Sequence, residues 1–520
     1  MNNNKLLFPY EDVRPIQDEM MNEVEEAISE RKKILLHAPT GIGKTIGVLG
    51  PALSYALEHD KIVVFLTSRH TQHIIALETL DDIKKKFGKE FVVADLIGKK
   101  WMCALPEMER VSSSEFRDYC KILREEDNCK NYTNTYDKKS LSVKAKKVKQ
   151  ELSSISPCHS ETVVDVGKNA EICPYEITMS LCKDARVIIA DYFYIFNPSL
   201  RDSFLGKIGK SLDDVIVVVD EGHNLSDRVR NLLSLNLSNL VIKRAIKEAD
   251  DNGYKSYITV FEKISMALND LSMDIGIGGE LLVHKKYFVD IISDIKDYVT
   301  LIEELEFIAE EIRKKKKQSS IGAIANFLES WLGTEEGYTR IISKKDLRGN
   351  LFINLSYRCL DPSLVTSEVF TGCFSLILMS GTLLPTALYR DVLGFPLDAI
   401  EKEYPSPFPK QNRLNLVVPK TTTRFSSRSE NQFKEIAMRC AEIVEKVPGN
   451  NLIFFPSYNL RNSIYSYFKE LCNRKIVLEK QGLSKEEKKE ILDQFKKEGK
   501  DIVLLAVASG SFGEGIDLPG

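Results

Sequence analysis

Ile34-Leu35-Leu36 runs directly into Ala38-Pro39-Thr40-Gly41-Ile42-Gly43-Lys44-Thr45. A short buried strand, a glycine-rich turn and a Lys-Thr pair opening a helix meet in few architectures. The order calls for a parallel sheet whose strand ends lead into helix N-termini. Successive backbone N–H groups of such a turn, backed by the helix dipole, form a concave anion site. Thr40, Gly41 and Gly43 supply backbone, Lys44 adds a point charge, and the Thr45 hydroxyl suits Mg²⁺. The expected ligand is a nucleoside triphosphate with its Mg²⁺.

A second strand carries the partner chemistry. Val215-Ile216-Val217-Val218-Val219 is a continuous apolar run of the kind buried on both faces, and it ends in Asp220-Glu221-Gly222-His223. A carboxylate at a strand's C-terminal end beside a phosphate loop can hold Mg²⁺ through water, a role that suits Asp220. Glu221 is placed to orient and deprotonate an attacking water. His223 reads either as a third member of the site or as an ordinary loop histidine.

Composition bounds the rest. A chain of 520 residues exceeds one core and corresponds to roughly three or four domains. Lys plus Arg total 72 against 75 Asp plus Glu, a net charge of −3, so any polyanion site must come from local clustering. The N-terminus MNNNKLLFPYEDVRP lacks the apolar core of a signal peptide. No apolar run approaches the roughly 18 residues of a membrane span. A cytoplasmic location is expected, where the ten cysteines stay reduced and any that cluster read as metal or redox ligands.

Along the chain, βαβ patterning up to residue 94 gives way at 95–182 to a polar, cysteine-bearing stretch with the basic run Lys144-Ala145-Lys146-Lys147. Strand patterning returns at 187–190 and 215–219, within a segment bounded as 183–225. Residues 226–365 read as mostly helical, with Leu301, Leu305, Ile308 and Ile312 at helical spacing. Arg313 to Lys317 follow, either a dipole-favoured helix end or a nucleic-acid contact. The first sheet region closes over 366–395, the second lobe is bounded as 396–520, and its βαβ patterning starts near Leu414. The fold class is α/β with two parallel-sheet lobes, the first carrying two inserts. Ser380-Gly381-Thr382 and Gly513-Glu514-Gly515-Ile516-Asp517 each follow a strand.

These motifs, in this order, resemble the XPD branch of superfamily 2 DNA helicases, most of all its archaeal members. Phe8-Pro9-Tyr10 with Arg14-Pro15-x-Gln17 resembles the family's adenine-side motif, which implies nucleotide contacts for Tyr10 and Gln17. Thr67 to Gln72 resembles motif Ia, implying DNA phosphate contacts at Thr67 and Arg69. Leu360-Asp361-Pro362-Ser363 matches the string before motif III, Asn451 to Tyr458 resembles motif IV, and Gly510 to Pro519 resembles motif V, implying nucleotide-side roles for Gly515 and Asp517.

The resemblance implies two RecA-like lobes, an iron–sulfur insert at 95–182 and a helical arch at 226–365. It also implies ATP-driven 5′→3′ translocation on single-stranded DNA by a monomer that opens forked duplexes in nucleotide excision repair, with repair-factor partners. Competing readings are a DinG-like role on other nucleic-acid structures and an ATP-binding subunit that does not unwind. The family usually has alanine at the position of Gly222, a departure expected to be tolerated. The sequence stops at Gly520, inside motif V. The following motif carries arginines that meet the γ-phosphate, so an incomplete second lobe is expected, with a loss of order 10³–10⁵ in rate.

Cys103, Cys120, Cys129, Cys158, Cys173 and Cys182 fall within or at the end of the first insert. Intracellular thiolates at irregular spacing suit zinc and an iron–sulfur cluster about equally, and the lack of a C-x-x-C pair argues against zinc ribbons. The resemblance implies a [4Fe–4S] cluster. Lys99-Lys100-Trp101-Met102-Cys103 matches the stretch leading to its first ligand, Cys173-Pro174-Tyr175 matches the last, and Cys120 and Cys129 follow by order. Lys99, Lys100 and Trp101 are candidate DNA contacts beside it, with Tyr119 and Tyr132, whose rings serve equally well as core.

Overall fold

The computed structural model describes residues 6–14, 16–67, 70–106, 108, 111, 113–314, 319–347, 349–412, 414–483, 485–496 and 501–513. The chain divides into two units, Met1–Phe408 and Pro409–Gly520. Seven parallel strands organise the first: β1 (Lys33–His37), β2 (Ile62–Leu66), β3 (Val92–Leu96), β4 (Ala185–Ala190), β5 (Val215–Val219), β6 (Ser375–Ser380) and β7 (Ile400–Glu403). Their order across the sheet is β7-β1-β6-β5-β2-β4-β3.

The unbroken apolar runs exist because both sheet faces are covered. Leu35, Val64, Val217 and Leu376 enter one core, while Ile34, Val63, Ile216 and Ile377 enter the other. On this second face lie α1 (Gln17–Ser29), α2 (Lys44–Glu58) and α3 (His70–Phe87), through Met20, Val24, Leu49, Ala52 and Leu80.

The first insert comprises α4 (Ser113–Glu125), α5 (Lys130–Thr135), α6 (Val143–Ser154), α7 (Ser160–Asn169) and α8 (Pro174–Asp184), of which α6, α7 and α8 cover the opposite face. After β4 come α9 (Phe193–Phe196) and α10 (Pro198–Ile208). Ala145, Val148, Leu152, Val163 and Tyr175 share a core with Leu35 and Val64, so insert and sheet are one hydrophobic body. Local chemistry sets the helix starts. Ser142 accepts from the Ala145 N–H at 3.1 Å to cap α6, and Pro174 opens α8 where its missing N–H costs nothing.

One expected boundary needs correction, and one mostly helical segment also holds a sheet. The second sheet region does not begin at 396, because β7 returns to the first sheet and pairs with β1. Ile400-Glu401-Lys402-Glu403 has no core signature. Besides the β1 backbone, it is tied down by α1, whose Glu23 takes both the Lys402 ammonium and the Tyr404 hydroxyl. The stretch 226–365 is also not only helical. Its helices surround a separate core that includes Leu301, Leu305, Ile308 and Ile312, but four antiparallel strands close that core, in the order Leu235–Ser238, Asn350–Cys359, Tyr338–Leu347, Glu280–Leu282. Their alternating residues pack one face only, a pattern easily absorbed into a helical reading.

The second unit is built on three parallel strands, β8 (Asn451–Phe455), β9 (Lys475–Leu478) and β10 (Ile502–Val507), in the order β8-β10-β9. Val503 and Leu505 face one core, Ile502, Leu504 and Ala506 the other. No helix among the described residues is long and apolar enough to cross a membrane.

Candidate active site

Because β6 lies between β1 and β5, three strand ends from distant parts of the sequence open side by side. His37 pairs with Ser380 and Val219 with Leu378, so the phosphate loop, Ser380-Gly381-Thr382 and Asp220-Glu221 share one edge of the sheet.

The loop turns on two glycines in the left-handed region, Gly41 at φ 93° and Gly43 at φ 87°, the latter capping α2. A side chain at either would also collide, with Phe408 over Gly41 and with Gln17 over Gly43. The loop is braced from α1 and the segment before it: Arg14 Nη1 donates to the Gly41 carbonyl at 2.7 Å, and Gln17 Nε2 to that of Gly43 at 3.2 Å. Gln17 is thus buried against the loop backbone. Tyr10 is exposed and donates to Asp82 of α3 at 3.3 Å. Thr40 lies exposed at the tip, and Thr45 follows Lys44 on the first turn of α2.

Lys44 Nζ stands 3.6 Å from Glu221 Oε1 and faces Gly381. On the other side of Glu221, Ser380 Oγ donates to Oε2 at 3.2 Å. The same hydroxyl lies 2.7 Å from His223 Nδ1 and accepts the Thr382 N–H at 3.2 Å. One donor and two acceptor sites are all a serine offers, so this arrangement assigns the proton to His223 Nδ1. Burial works against the Glu221 charge, but His223, Lys44 and Ser380 outweigh it and hold the carboxyl down to about 2. Its backbone sits at φ 50°, a strained conformation for a non-glycine residue.

Asp220 contrasts with it. Burial, then the adjacent Glu221 charge, push its carboxyl up to about 7, and Oδ1 is buried without a hydrogen-bond partner. A buried, unsatisfied carboxylate oxygen within reach of the Lys44 charge fits the donor set of a divalent cation carrying phosphate. Tyr192, just past β4, donates to the carbonyls of Asp220 and Glu221, the latter at 3.1 Å, and so braces the strained turn from below. Sequence reasoning missed Tyr192 because it belongs to no motif; its only signal is a position just past a strand end.

Gly222 is buried, and a Cβ there would lie 2.5 Å from Leu378 Cγ on β6. Gly222→Ala should therefore lower stability by about 1–3 kcal/mol. Urea unfolding of Gly222→Ala, Leu378→Val and the double variant checks this, since two residues in contact should not act additively.

The other expected contacts scatter. Thr67 is fully buried, its hydroxyl taken by Gln72, so it presents no side chain to a phosphate. Arg69, Gly515 and Asp517 lie outside the described residues. The segment leading to the last two is anchored by Glu479, which the motifs did not flag. Its buried carboxylate accepts the Val507 N–H at 2.7 Å and that of Ser511.

Cys103, Cys120, Cys129 and Cys173 line one cavity together with Phe116, Leu123 and Pro174. They come from four places: a turn after β3, α4, and the N-caps of α5 and α8. Lys99 and Arg124 border the same cavity. Cys182 lies in the sheet core and Cys158 packs at its margin. Among the described residues no three His, Cys, Asp or Glu side chains approach closely enough to chelate a single ion. Lys99 Nζ is 5.0 Å from the Tyr175 ring centroid, and Lys100 sits 4.4 Å from that of Trp101, whose face is half exposed.

Comparison with known proteins finds helicases. The DEAD_2 family model matches residues 66–242, and the helicase C-terminal domain model matches 440–520. The XPD/RAD3 helicase subunit of general transcription and DNA repair factor IIH from Saccharomyces cerevisiae is 23% identical over 98% of this chain and 77% of its own length. The ATP-dependent DNA helicase XPD of Sulfolobus acidocaldarius is 26% identical, over 97% and 82% respectively. A solved XPD helicase structure superimposes with a TM-score of 0.61 at 20% identity, covering 98% of this chain and 83% of that one.

Proposed function

Because this chain belongs to the XPD-type branch of superfamily 2 helicases, we propose that it couples ATP hydrolysis to 5′→3′ movement along single-stranded DNA and opens forked duplexes during nucleotide excision repair. It is an ATP-dependent helicase, and the DNA substrate follows its DNA-acting relatives. The observation that carries the reading is the closed set Lys44, Glu221, His223 and Ser380, joined across three strand ends. Lys44 and the loop N–H groups receive the phosphates, and Thr45 and Asp220 would hold the Mg²⁺ that neutralises charge on the triphosphate. Glu221, kept ionised by its three partners, accepts the proton of the attacking water. Ser380 and His223 hold that carboxylate toward Lys44.

The direction is tested by unwinding of one duplex carrying a 5′ tail, a 3′ tail or none. The 5′-tailed substrate should open at least about ten times faster, and equal rates on both tails would overturn the assigned polarity. A matching RNA tail separates DNA specificity from a general single-strand activity.

The cysteine cavity supports a [4Fe–4S] cluster held by Cys103, Cys120, Cys129 and Cys173. The donor set fits. Four thiols face one space, the rest of its lining is largely apolar, and Lys99 and Arg124 offset thiolate charge. Bound there, the cluster would lock the starts of α5 and α8 to α4. Lys99, Lys100 and Trp101 beside it are proposed to meet the DNA strand.

A further inference from the structure

One charged feature is used neither by the nucleotide site nor by the cysteine cavity. Residues 136–150 carry six lysines against one aspartate, in a chain whose net charge is −3. The fold brings three of the six together with two lysines from later helices. A pocket of about 630 Å³ between the short hairpin Tyr136–Asp137/Ser140–Leu141, α6, α8 and α10 is lined by Lys139, Lys146, Lys149, Lys183 and Lys207. Lys149 is neutralised by Asp184 at 2.6 Å. Among the described residues no other ion pair involves the remaining four, all of which are exposed. The other acid in the lining, Glu176, is turned to Tyr136, Lys99 and Arg124. Helix-end placement accounts for Lys183 and Lys207, which sit in the last turns of α8 and α10, but not for Lys139 or Lys146. Lys138 occupies the hairpin turn at φ 56°, where glycine or asparagine would sit with less strain.

We propose that this lysine pocket is a docking site for the phosphate backbone of duplex DNA, separate from the single-strand path. Sites for unpaired strands pair a basic groove with aromatic faces that stack bases. The one aromatic in this lining, Tyr136, donates its hydroxyl to Glu176 at 2.9 Å and turns its ring toward Tyr132, 5.3 Å between centroids. What remains is a set of point charges without stacking surface or planar guanidinium forks. That composition grips backbone phosphates without reading sequence. The inference rests on the DNA-helicase reading and adds a second contact to it, one that would hold the still-paired arm of a fork.

The test compares the full-length protein with its Lys139→Gln/Lys146→Gln/Lys183→Gln variant. The probes are a blunt 20-base-pair duplex and an oligo-dT strand, each titrated between 50 and 300 mM salt. The slope of log affinity against log salt for the duplex should become shallower by about 0.9 for each phosphate no longer neutralised, close to three in all. Duplex affinity should fall on the order of 100-fold at 0.1 M salt. Oligo-dT affinity and oligo-dT-stimulated ATPase should not change, and the triple Lys→Arg variant should restore duplex binding. An unchanged duplex slope would overturn the proposal, leaving the lysines as a solvated face. Equal weakening on duplex and oligo-dT would also overturn it, by placing the pocket on the single-strand path. Oligo-dT-stimulated ATPase of the unaltered protein reports separately on the helicase reading, so the two cannot fail unnoticed together.

Discussion

Glu221→Gln should leave ATP bound while lowering its DNA-stimulated hydrolysis by about 10²–10⁴-fold, the usual worth of a positioned general base. The amide keeps the shape of the carboxylate and can still accept from Ser380 Oγ, which lies 3.2 Å from Oε2, so the fold should survive. It cannot take a proton from water. Lys44→Ala removes the charge 3.6 Å from Glu221 and should abolish hydrolysis with weakened nucleotide affinity, while single-stranded DNA binding persists. The two variants therefore differ in where the loss appears. Glu221→Gln should lower kcat with nucleotide affinity kept, and Lys44→Ala should lose both. Filter binding of labelled ATP with steady-state hydrolysis, each with and without oligo-dT, separates them. Wild-type turnover in either variant would remove the active-site assignment.

Cys103→Ser should abolish bound iron and acid-labile sulfide together with the yellow-brown absorbance, and should loosen the insert, because one of the four proposed ligands is gone. Cys182→Ser provides the contrast. Cys182 lies in the sheet core, where burial pushes its thiol far above the ordinary range, so a hydroxyl there costs about 1–3 kcal/mol without touching the colour. Metal analysis after anaerobic purification reads both. Zinc in place of iron, or bleaching by Cys182→Ser and not by Cys103→Ser, would defeat the proposed ligand set. Since insert and sheet share one core, loss of the cluster should also lower the unfolding temperature of the first unit, beyond any effect confined to the cysteine cavity.

How far the sequence alone reached follows from the range of the forces involved. Ile34 to Thr45 and Val215 to His223 declare strand, turn and charge within a dozen residues, because backbone geometry and apolar runs are local properties. The α/β class, the phosphate loop, the acidic pair and the cysteine-bearing insert could all be read from such windows. Local reading failed where a segment's partner is distant. β7 carries almost no apolar pattern and exists through its pairing with β1 and the grip of Glu23. The half-buried strands at Tyr338–Leu347 and Asn350–Cys359 are stabilised mainly by each other. Thr67 sits in a recognisable motif, yet a neighbouring amide, Gln72, takes its hydroxyl.

The chemistry of this protein was therefore present in its sequence as a set of residue types, Lys44, Thr45, Asp220 and Glu221 among them. Which of these residues act on one another was not. The insertion of β6 between β1 and β5 brings Ser380 to Glu221 and His223, and the distant Tyr192 hydroxyl braces the turn on which Glu221 stands. The opposite protonation tendencies of two adjacent carboxylates follow from the same packing. Asp220 is buried without a hydrogen bond to its Oδ1 and rises toward 7, while Glu221 is surrounded by donors and falls to about 2. Residue identity is inherited along the chain, but burial and hydrogen-bond partners are set by long-range packing, and in a low-dielectric site those decide which group carries charge.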